Sequence, residues 1–334
     1  MDKANSKPSP KPPQEEPDAI HHSHLSRVSA MAGQTPDPDF FVKAQQFTAH
    51  TYRDVYPAID PTNSSLSQAG KVVIITGASQ GLGAKGFVQA FAATGPKAMV
   101  LVARNAKKLE EVAASVKEKF PELETLTVST DVADPASVAA LFEEVKSKFG
   151  HADVLVNNAA VFNSLAPVKD DDHKVWWSDM TVNIYGTFLV TQGFLKLLPE
   201  SAPARIITLT TAAAYQVFPN LSSYGLAKLV VFELMDYVRA ENPNVVAVAV
   251  HPGIVATDML KDAFAPFAHD TPQLVGGLGT WLAAWEGPDR AFLSGRYLSA
   301  NWDVDELVKR KEDIVQQDLL KLNLTGNFGE KHFK

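Results

Sequence analysis

The sequence has no cysteine among its 334 residues. The chain therefore forms no disulfide, uses no thiolate nucleophile and builds no metal site from thiolates. A protein without thiols suits a reducing compartment, and we expect it in the cytoplasm. The first residues agree with this expectation, because they contain no apolar segment of the signal-peptide type. They also include Asp2 and Glu15, which a mitochondrial presequence would avoid.

The sequence also lacks long apolar runs and an excess of positive charge, and these two features argue against membrane and nucleic-acid partners. No apolar run approaches the roughly 20 residues that a bilayer-spanning helix needs, so we expect no membrane partner. Positive charge is in deficit, because 31 lysine and arginine residues stand against 38 acidic residues and the formal net charge is -7. A nucleic-acid-binding protein normally presents a basic face, so the sequence argues against a nucleic-acid partner.

The first 37 residues offer few side chains that a core could bury. The proline-rich, charged stretch KPSPKPPQEEP cannot offset its ordering entropy, and we expect residues 1–37 to be disordered. Two alternatives stay open for this tail, namely a docking arm or polyproline ligand, and a metal site at the HHSH stretch. Residues 38–64 contain more aromatic side chains, and we expect them to pack on the domain as a lead-in segment.

From Lys71 onward, short apolar runs alternate with segments of helical period. Most of the runs are β-branched and apolar on both faces, as in strands that helices cover on both sides. The predicted strands are residues 72–76, 98–103, 123–129, 153–158, 205–210, 245–250 and 296–300. The predicted helices are residues 81–94, 105–120, 135–149, 172–198, 222–240 and, as one amphipathic C-terminal helix, 303–323. This alternation predicts an α/β fold, with residues 65–334 as a single Rossmann-type doubly wound parallel sheet of about seven strands and helices on both faces.

A glycine-rich turn, GASQGLG at residues 77–83, joins the first predicted strand to the first predicted helix. A helix N-terminus offers unpaired N–H groups, and glycine lets a phosphate approach the backbone without meeting a Cβ atom. The spacing differs from the G-x-G-x-x-G fingerprint and from a P-loop, which would continue with Gly-Lys-Ser or Gly-Lys-Thr. Taken alone, the turn suits an ordinary tight turn as well as a diphosphate site.

Further motifs follow in order along the chain. TGASQGLG is followed by NNAA at 157–160, by TVNIYGTF around Asn183, by SSYGLAKL with Tyr224 and Lys228, and by HPGIVAT at 251–257. In this order and at these intervals, the sequence resembles the short-chain dehydrogenase/reductase family over about residues 65–305. The closing segment GRYLSANWDVDEL and the aromatic lead-in resemble a branch of that family common in filamentous fungi.

The resemblance implies a catalytic set of Asn183, Thr211, Tyr224 and Lys228. Tyr224 and Lys228 are four residues apart in a predicted helix and share one face. The ordinary pKa of tyrosine is about 10, and we expect the nearby ammonium and a cationic nicotinamide ring to lower it. Tyr224 would then exchange a proton near neutral pH, Lys228 would also hold the cofactor ribose, and Asn183 would anchor a water-mediated relay.

Thr211 stands where the family has a serine. Threonine keeps the hydroxyl that hydrogen-bonds a substrate carbonyl, although its methyl group takes space and restricts χ1. Thr210 is the weaker alternative, because strand alternation points its side chain to the other face.

The resemblance also implies a nicotinamide cofactor, and the end of the second predicted strand indicates NADP(H). Arg104 follows that strand, with Lys107 and Lys108 just beyond, and no carboxylate is present to bind a ribose 2′-hydroxyl. A guanidinium pairs with a 2′-phosphate in bidentate fashion. One departure is Gln80, which stands where the family often has a second basic residue.

Asp131 resembles the family residue that contacts the adenine amine, whereas Asp134 suits a helix start better. No metal is predicted. The predicted cofactor-binding residues are Thr76, Gly77, Ser79, Gln80, Gly81, Leu82, Gly83, Arg104, Asp131, Val132, Asn158, Ala159, Tyr224, Lys228, Pro252, Gly253, Val255 and Thr257.

In the family, the segment after the Pro252–Gly253 element covers the substrate. Its apolar side chains here are Met259, Leu260, Phe264 and Phe267. They predict a hydrophobic or aromatic carbonyl compound or alcohol as the small-molecule substrate, although the same residues would also suit a core. His251 and His269 are candidates for orienting that substrate.

The predicted helices 172–198 and 222–240 are apolar nearly all round, and a sheet buries only one face of each helix. We therefore expect a homodimer or homotetramer that forms through these two helices, as family members often do.

Together these features predict an NADP(H)-dependent oxidoreductase that interconverts a carbonyl compound and a secondary alcohol. Two rivals on the same fold stay open. The departure at Thr211 argues for a catalytically silent, cofactor-binding scaffold or sensor. A dehydratase or epimerase would keep Tyr224 and Lys228 but return the cofactor unchanged after each cycle.

Overall fold

The computed structural model describes residues 36–287, 289–326 and 328–330. The expected disorder of the tail, its alternative as a docking arm and the HHSH metal site fall outside these ranges, except for residues 36 and 37. From Pro38 onward the chain clusters into one unit. Among the described residues, no helix is long and apolar enough to cross a membrane.

A parallel sheet forms the centre of this unit. The strands of the described chain are β1 (Val72–Thr76), β2 (Ala98–Ala103), β3 (Glu124–Ser129), β4 (Val154–Asn157), β5 (Ala204–Leu209), β6 (Val245–His251) and β7 (Tyr297–Ser299). Their order is β3-β2-β1-β4-β5-β6-β7, and every neighbouring pair is parallel. The direction of winding reverses between β1 and β4, where α/β sheets form a ligand crevice at the carboxyl ends of the strands. The predicted doubly wound α/β fold is confirmed.

Helices cover both faces of the sheet. The α-helices of the described residues are α1 (Phe40–Ala44), α2 (Val88–Ala93), α3 (Ala106–Lys119), α4 (Pro135–Phe149), α5 (His173–Met180), α6 (Thr187–Leu197), α7 (Ser222–Glu241), α8 (Pro272–Ala283), α9 (Val304–Lys309) and α10 (Lys311–Gln316). Two π-helical segments continue them, Gly83–Phe87 before α2 and Thr181–Gly186 between α5 and α6. Short 3₁₀ turns lie at Pro57–Ile59, Ser64–Leu66, Ala212–Ala214, Asp262–Phe267 and Ala291–Leu293. The helices α2, α3 and α8 form one layer, and α4 to α7 form the other.

The strands and helix starts follow from simple sequence features. Every residue of β1 and β6 is buried, as expected for apolar β-branched runs that are covered on both sides. Asp134 begins α4, because its carboxylate accepts hydrogen bonds from the N–H groups of Ala136 and Ser137, and Pro135 occupies the first helical position. The interpretation of Asp134 as the helix-start residue is therefore confirmed.

The prediction of one C-terminal helix over 303–323 is wrong. The structure has two short helices, α9 and α10, which meet at Arg310, and helical structure ends at Gln316. Tertiary contacts explain the break. The Arg310 guanidinium lies 3.8 Å from the centroid of the Phe47 ring and donates to the Phe47 carbonyl oxygen. Farther along, Arg296 donates to the Leu319 carbonyl oxygen and to Asp318, which has a positive φ of 48°.

The sequence analysis predicted no helix over residues 272–283, but they form the buried helix α8. The three glycines in this helix, at 276, 277 and 279, have low helix propensity and obscured it. They are needed for close packing. A Cβ atom on Gly276 would lie 2.6 Å from the carbonyl oxygen of Gly86, and one on Gly277 would lie 2.5 Å from that of Ile59. Hence α8 lies directly against the π-helical segment that follows the glycine-rich turn.

This close approach makes a prediction for stability. In Gly276→Ala, the new methyl group meets the Gly86 backbone, which cannot move without displacing the start of α2. Overpacking of this kind costs about 1–3 kcal/mol, which exceeds the gain in helix propensity. We therefore expect a lower free energy of unfolding in urea titration, with an unchanged m-value. The exposed neighbour Gln273 is the control, and Gln273→Ala should change the free energy by less than about 0.5 kcal/mol. Equal stability of the two variants would contradict the packing described.

Candidate active site

The glycine-rich turn after β1 has the backbone shape of a phosphate site. Gly77 and Gly81 have φ angles of 66° and 54°, which other residues rarely adopt. A Cβ atom on Gly77 would lie 2.7 Å from Asn158 Nδ2, and one on Gly83 would collide with the carbonyl oxygen of Gly77. The turn is therefore folded tightly on itself, and its surface is backbone rather than side chain.

Thr76 and Asn158 tie this turn to the neighbouring strand. The Thr76 hydroxyl donates to the Val156 carbonyl at 3.2 Å and accepts from the N–H groups of Asn158 and Ala159 at 3.0 and 3.1 Å. Asn158 Nδ2 in turn donates to the carbonyls of Thr76 and Gly77, at 2.8 and 3.2 Å. These bonds join the ends of β1 and β4 and form the floor of the crevice between them.

A cavity of about 280 Å³ follows the carboxyl ends of the strands. Arg104 lines it where β2 ends, and Tyr224 lines it on α7. Most of the predicted cofactor-binding residues lie in its wall, namely Gly77, Ser79, Gln80, Gly81, Leu82, Arg104, Asp131, Val132, Asn158, Ala159, Tyr224, Lys228, Pro252 and Thr257. The sequence motifs therefore converge on one crevice, which we call the cofactor cavity.

Four of the predicted residues lie outside this wall. Thr76 and Gly83 stand behind the glycine-rich turn and support it. Gly253 has a φ of 83°, and a Cβ atom there would overlap the carboxylate of Asp270. Val255 forms a β-bridge with Asp270 and lines a neighbouring cavity instead. These residues shape the backbone around the cavity rather than face it.

The structure brings Tyr224 and Lys228 together in the cofactor cavity. Lys228 Nζ lies 5.8 Å from the centroid of the Tyr224 ring and donates to the Leu209 carbonyl oxygen at 2.8 Å. Burial raises the pKa of Tyr224 to about 12 and lowers the pKa of Lys228 to about 8. The expectation that the ammonium lowers the pKa of Tyr224 is not met in the chain alone. Desolvation is the cause of both shifts, because each group loses water that stabilises its charged form.

Thr211 lies just beyond β5, at the start of the 3₁₀ turn Ala212–Ala214, where its hydroxyl accepts from the N–H of Ala213 at 3.4 Å. Thr211 lines a second cavity beside the cofactor cavity, and Tyr224 lines this second cavity as well. Thr210 is buried, and its hydroxyl donates to the Lys228 carbonyl oxygen at 2.9 Å. Thr210 also lines the cofactor cavity, but its hydroxyl holds α7 against β5, whereas Thr211 lines the neighbouring cavity.

Asn183 is fully buried in the π-helical segment Thr181–Gly186. Its Oδ1 accepts from the N–H of Val161 at 2.9 Å, and its Nδ2 donates to the Val161 carbonyl at 2.8 Å. Within the described residues, it makes no direct hydrogen bond to Lys228. The structure thus places Asn183 as the residue that fixes the loop after β4.

Asp179 is a site residue that the sequence analysis missed. Its carboxylate is fully buried and accepts from the N–H groups of Asn163 and Ser164, from Asn163 Nδ2 and from the Ser223 hydroxyl. Ser223 directly precedes Tyr224, so one carboxylate ties the loop after β4 to the helix that carries the tyrosine. A lone acidic residue one turn before Asn183, in an otherwise apolar segment, was the available signal.

A second cavity of about 170 Å³ adjoins the cofactor cavity, and Tyr224 lines both. Its wall is largely apolar and includes four phenylalanines, Phe41, Phe162, Phe218 and Phe264. The Phe162 ring stacks on that of Tyr224, with centroids 4.6 Å apart. We call this space the aromatic cavity. Phe41 belongs to α1, far from any sequence motif, and sequence reasoning did not find it.

The predicted substrate cover is therefore only partly in place. Met259, Leu260 and Phe264 line the aromatic cavity, but Phe267 does not. Its ring is buried 4.8 Å from that of Phe41, so the alternative interpretation as core applies to this residue.

The two candidate histidines differ. His251 lines the aromatic cavity, and burial lowers its pKa to about 4, so its imidazole is neutral at physiological pH. His269 is exposed, and its Nε2 lies 3.1 Å from the Pro266 carbonyl oxygen, outside the cavity wall. The structure therefore leaves only His251, of these two, facing a substrate.

At the β2 end of the cofactor cavity, Arg104 is exposed to solvent beside the glycine-rich turn. The Lys108 ammonium donates to Gln80 Oε1 at 2.8 Å, so α3 brings a second cation to the position where the sequence has glutamine. Asp131 also lines the cavity, and its carboxylate accepts from the N–H of Ala133 at 3.0 Å.

These residues fit a dinucleotide. The turn offers a glycine surface and the start of a helix to a diphosphate, and Arg104 lines the same cavity where β2 ends. Tyr224 and Lys228 line it on α7, and Tyr224 also lines the aromatic cavity.

Comparison with known proteins agrees with this geometry. Residues 71–266 match the family model described as short chain dehydrogenase. The short chain dehydrogenase mpl6 of Monascus purpureus is 37% identical over 283 residues, covering 82% of this chain and 94% of its own length. The short chain dehydrogenase pigC of Monascus ruber is 36% identical over 288 residues, covering 82% and 92%. Both relatives are fungal, which confirms the resemblance to a fungal branch.

Solved structures share the fold. A short chain dehydrogenase of Shigella flexneri, complexed with NADP, has a TM-score of 0.63 at 23% identity, covering 71% of this chain and 99% of that one. The sequence matches and the parallel sheet lead to the same conclusion: the chain belongs to the short chain dehydrogenase family of oxidoreductases.

Proposed function

We propose that this chain is an NADP(H)-dependent oxidoreductase that interconverts a hydrophobic or aromatic ketone and the corresponding secondary alcohol. The observation that carries the proposal is the position of Tyr224, which lines both the cofactor cavity and the aromatic cavity. A proton donor at this junction reaches the carbonyl oxygen of a substrate in the aromatic cavity. The carbonyl carbon of that substrate can then face a nicotinamide in the cofactor cavity. The nicotinamide, when bound, supplies or accepts the hydride.

The side chains of the chain itself handle the proton. Tyr224, with a pKa of about 12, is protonated at neutral pH, which is the form that donates to the carbonyl oxygen during reduction. Thr211 donates a second hydrogen bond to that oxygen and holds it in place. The Lys228 ammonium, 5.8 Å from the tyrosine ring, stabilises the phenolate that the transfer leaves behind. In the oxidative direction, the same groups act in reverse.

The walls of the aromatic cavity favour an aromatic substrate. Four phenylalanine side chains face a space with few polar groups, so a sugar or a small acid would lose hydration without recovering hydrogen bonds. A planar aromatic ring gains apolar contact area and favourable ring geometry at such a wall. These contacts support the substrate class.

Two cations support NADP(H) over NAD(H). Arg104 lines the adenosine end, and Lys108 reaches the same end through Gln80. A ribose 2′-phosphate gains charge-assisted hydrogen bonds from such groups, whereas a 2′-hydroxyl gains little.

We also propose a homodimer or homotetramer built through the helical segments 172–198 and 222–240. The large apolar side chains exposed on them are Trp177, Tyr185, Phe188, Leu226, Val230 and Tyr237. Aromatic side chains exposed in such number on adjacent helices are typical of an interface between copies of a chain.

The cofactor assignment is tested by titrating the protein with NADPH and NADH and following nicotinamide fluorescence. We expect tighter binding of NADPH. Arg104→Ala should raise the dissociation constant for NADPH at least tenfold, because a hydrogen bond to a charged phosphate contributes about 1.5–3 kcal/mol. The same variant should leave NADH binding nearly unchanged.

The matched control is Lys107→Ala, which removes an exposed neighbouring cation that does not line the cavity. An equal loss of NADPH affinity in both variants would mean that NADPH responds to the general positive charge of this surface and not to a specific contact with Arg104. If the wild-type protein binds neither cofactor, the oxidoreductase proposal is wrong. If NADPH binds but Tyr224→Phe reduces ketones as fast as the wild type, the proton-transfer role is wrong.

The pKa of Lys228 leads to a pH prediction. This pKa of about 8 lies below the ordinary value of 10.5. Lys228 is therefore almost fully protonated below pH 7 and loses its proton as the pH rises through 8. We expect kcat/KM for NADPH-dependent reduction to be constant from pH 6 to 7 and to fall about tenfold per unit above pH 8. In Lys228→Arg, the cation persists at all these pH values, and the alkaline decline should disappear even where the rate is lower. A decline that persists in the variant would assign it to another group.

A further inference from the structure

The wall of the aromatic cavity is completed by residues that precede the sheet in the chain. Phe41 and Gln45, at the start and end of α1, both line it. The Phe41 side chain is only 7% exposed, and its ring centroid lies 6.0 Å from that of Phe264 and 6.1 Å from that of Phe218. Phe41 therefore closes the gap between the loop after β6 and the segment before α7.

A network of hydrogen bonds holds this segment in place. Arg53 donates to Asp39 at 2.7 Å and to the Pro38 carbonyl at 2.7 Å, so it holds the chain directly before α1. It also pairs with Asp270 at 3.1 Å. Farther along, Tyr52 donates its N–H to the Asn301 carbonyl oxygen at 2.8 Å.

Asp270 carries this support to the loop between β6 and α8, residues 252–271, which we call the substrate loop. Its side chain is 1% exposed and accepts from the N–H of Ile254 at 2.6 Å and from Asn301 Nδ2 at 2.7 Å. Ile254 directly follows Gly253 and also lines the aromatic cavity. The Arg53 guanidinium thus compensates the negative charge of the buried Asp270 carboxylate. That carboxylate fixes the backbone at Ile254, where the substrate loop begins.

We propose that residues 38–56 form part of the substrate site. In this segment, Phe41 is a specificity-determining residue that selects planar aromatic ketones by their length. Arg53 is a positioning residue that acts through Asp270. This inference rests on the proposed function for the reaction. It goes beyond that function, because it assigns substrate selection to a segment that contributes nothing to the cofactor cavity.

The size of the cavity indicates the class of substrate. A cavity of about 150 Å³ accommodates a benzene ring, and this one measures about 170 Å³. On this proposal, one aromatic ring that carries the ketone occupies the space, and Phe41 in its wall limits the room for a second fused ring. Replacing Phe41 with alanine removes that barrier without touching Tyr224, Thr211 or Lys228.

The experiment measures binding of acetophenone and 2-acetylnaphthalene to the protein saturated with NADP⁺, by isothermal titration calorimetry, so that no turnover occurs. The wild type should bind acetophenone more tightly. Phe41→Ala should shift the ratio of the two dissociation constants at least tenfold toward the naphthyl ketone. Phe41→Leu, which keeps an apolar side chain in the same place, should shift it in the same direction by less.

Phe40→Ala is the matched control, because Phe40 belongs to the same helix but does not line the cavity. It should leave the ratio unchanged. Arg53→Ala should weaken both ketones about equally and raise KM for each, while Arg53→Lys restores part of the affinity. NADPH affinity, measured on every variant, should stay within about twofold of the wild type and shows that the fold is intact.

The outcomes separate the two proposals. Normal NADPH binding with an unchanged ketone ratio in Phe41→Ala and Phe41→Leu overturns the role of Phe41. Failure of the wild type to bind either ketone overturns the aromatic class. A ratio that depends on Phe41, without any ketone reduction by NADPH, supports the substrate wall and refutes the proposed reaction instead.

Discussion

The hydrogen bonds between the ends of β1 and β4 are the constraint on which the rest of the site depends. Thr76 and Asn158 exchange backbone and side-chain bonds across the point where the winding of the sheet reverses. This contact leaves no room for a Cβ atom at Gly77, so the turn must be glycine and its backbone must face the crevice. The start of α2 then follows from the turn, and the position of α8 follows from α2, since Gly276 and Gly279 of α8 approach the helical segment at Gly86 and Phe87.

The sequence was sufficient for those parts of the fold in which one short segment determines its own structure. Apolar β-branched runs predicted strands such as β1 and β6, because burial on both faces leaves no polar alternative. It was insufficient where distant contacts decide. The C-terminal helix is interrupted because Arg310 packs on Phe47, which lies over 250 residues away in the chain. α8 was missed because its glycines are unfavourable locally and necessary only against the surface of another helix.

The same division applies to the candidate site. Motifs located Tyr224, Lys228 and most of the cavity wall, since each belongs to a turn or a helix whose shape is local. The roles of Asp179 and Phe41, and the contact of Lys108 with Gln80, needed three-dimensional information, because each side chain acts on a partner from another element. The pKa of Tyr224 could not be predicted either. Its direction depends on desolvation, which spacing along a helix does not reveal.

The substrate loop leaves the fold and returns to it at almost one point. Val255 forms a bridge with Asp270, and the N–H of Asp270 donates to the Ile254 carbonyl oxygen. Because the entropy of closing a loop grows only slowly with its length, the exposed part of residues 256–266 can lengthen or shorten at little cost in stability, whereas the buried Phe267 is held by its packing on Phe41. Under the proposed function, a change of substrate would need new side chains only in the interior of such a loop, while its two joined ends keep the backbone beside the aromatic cavity in place.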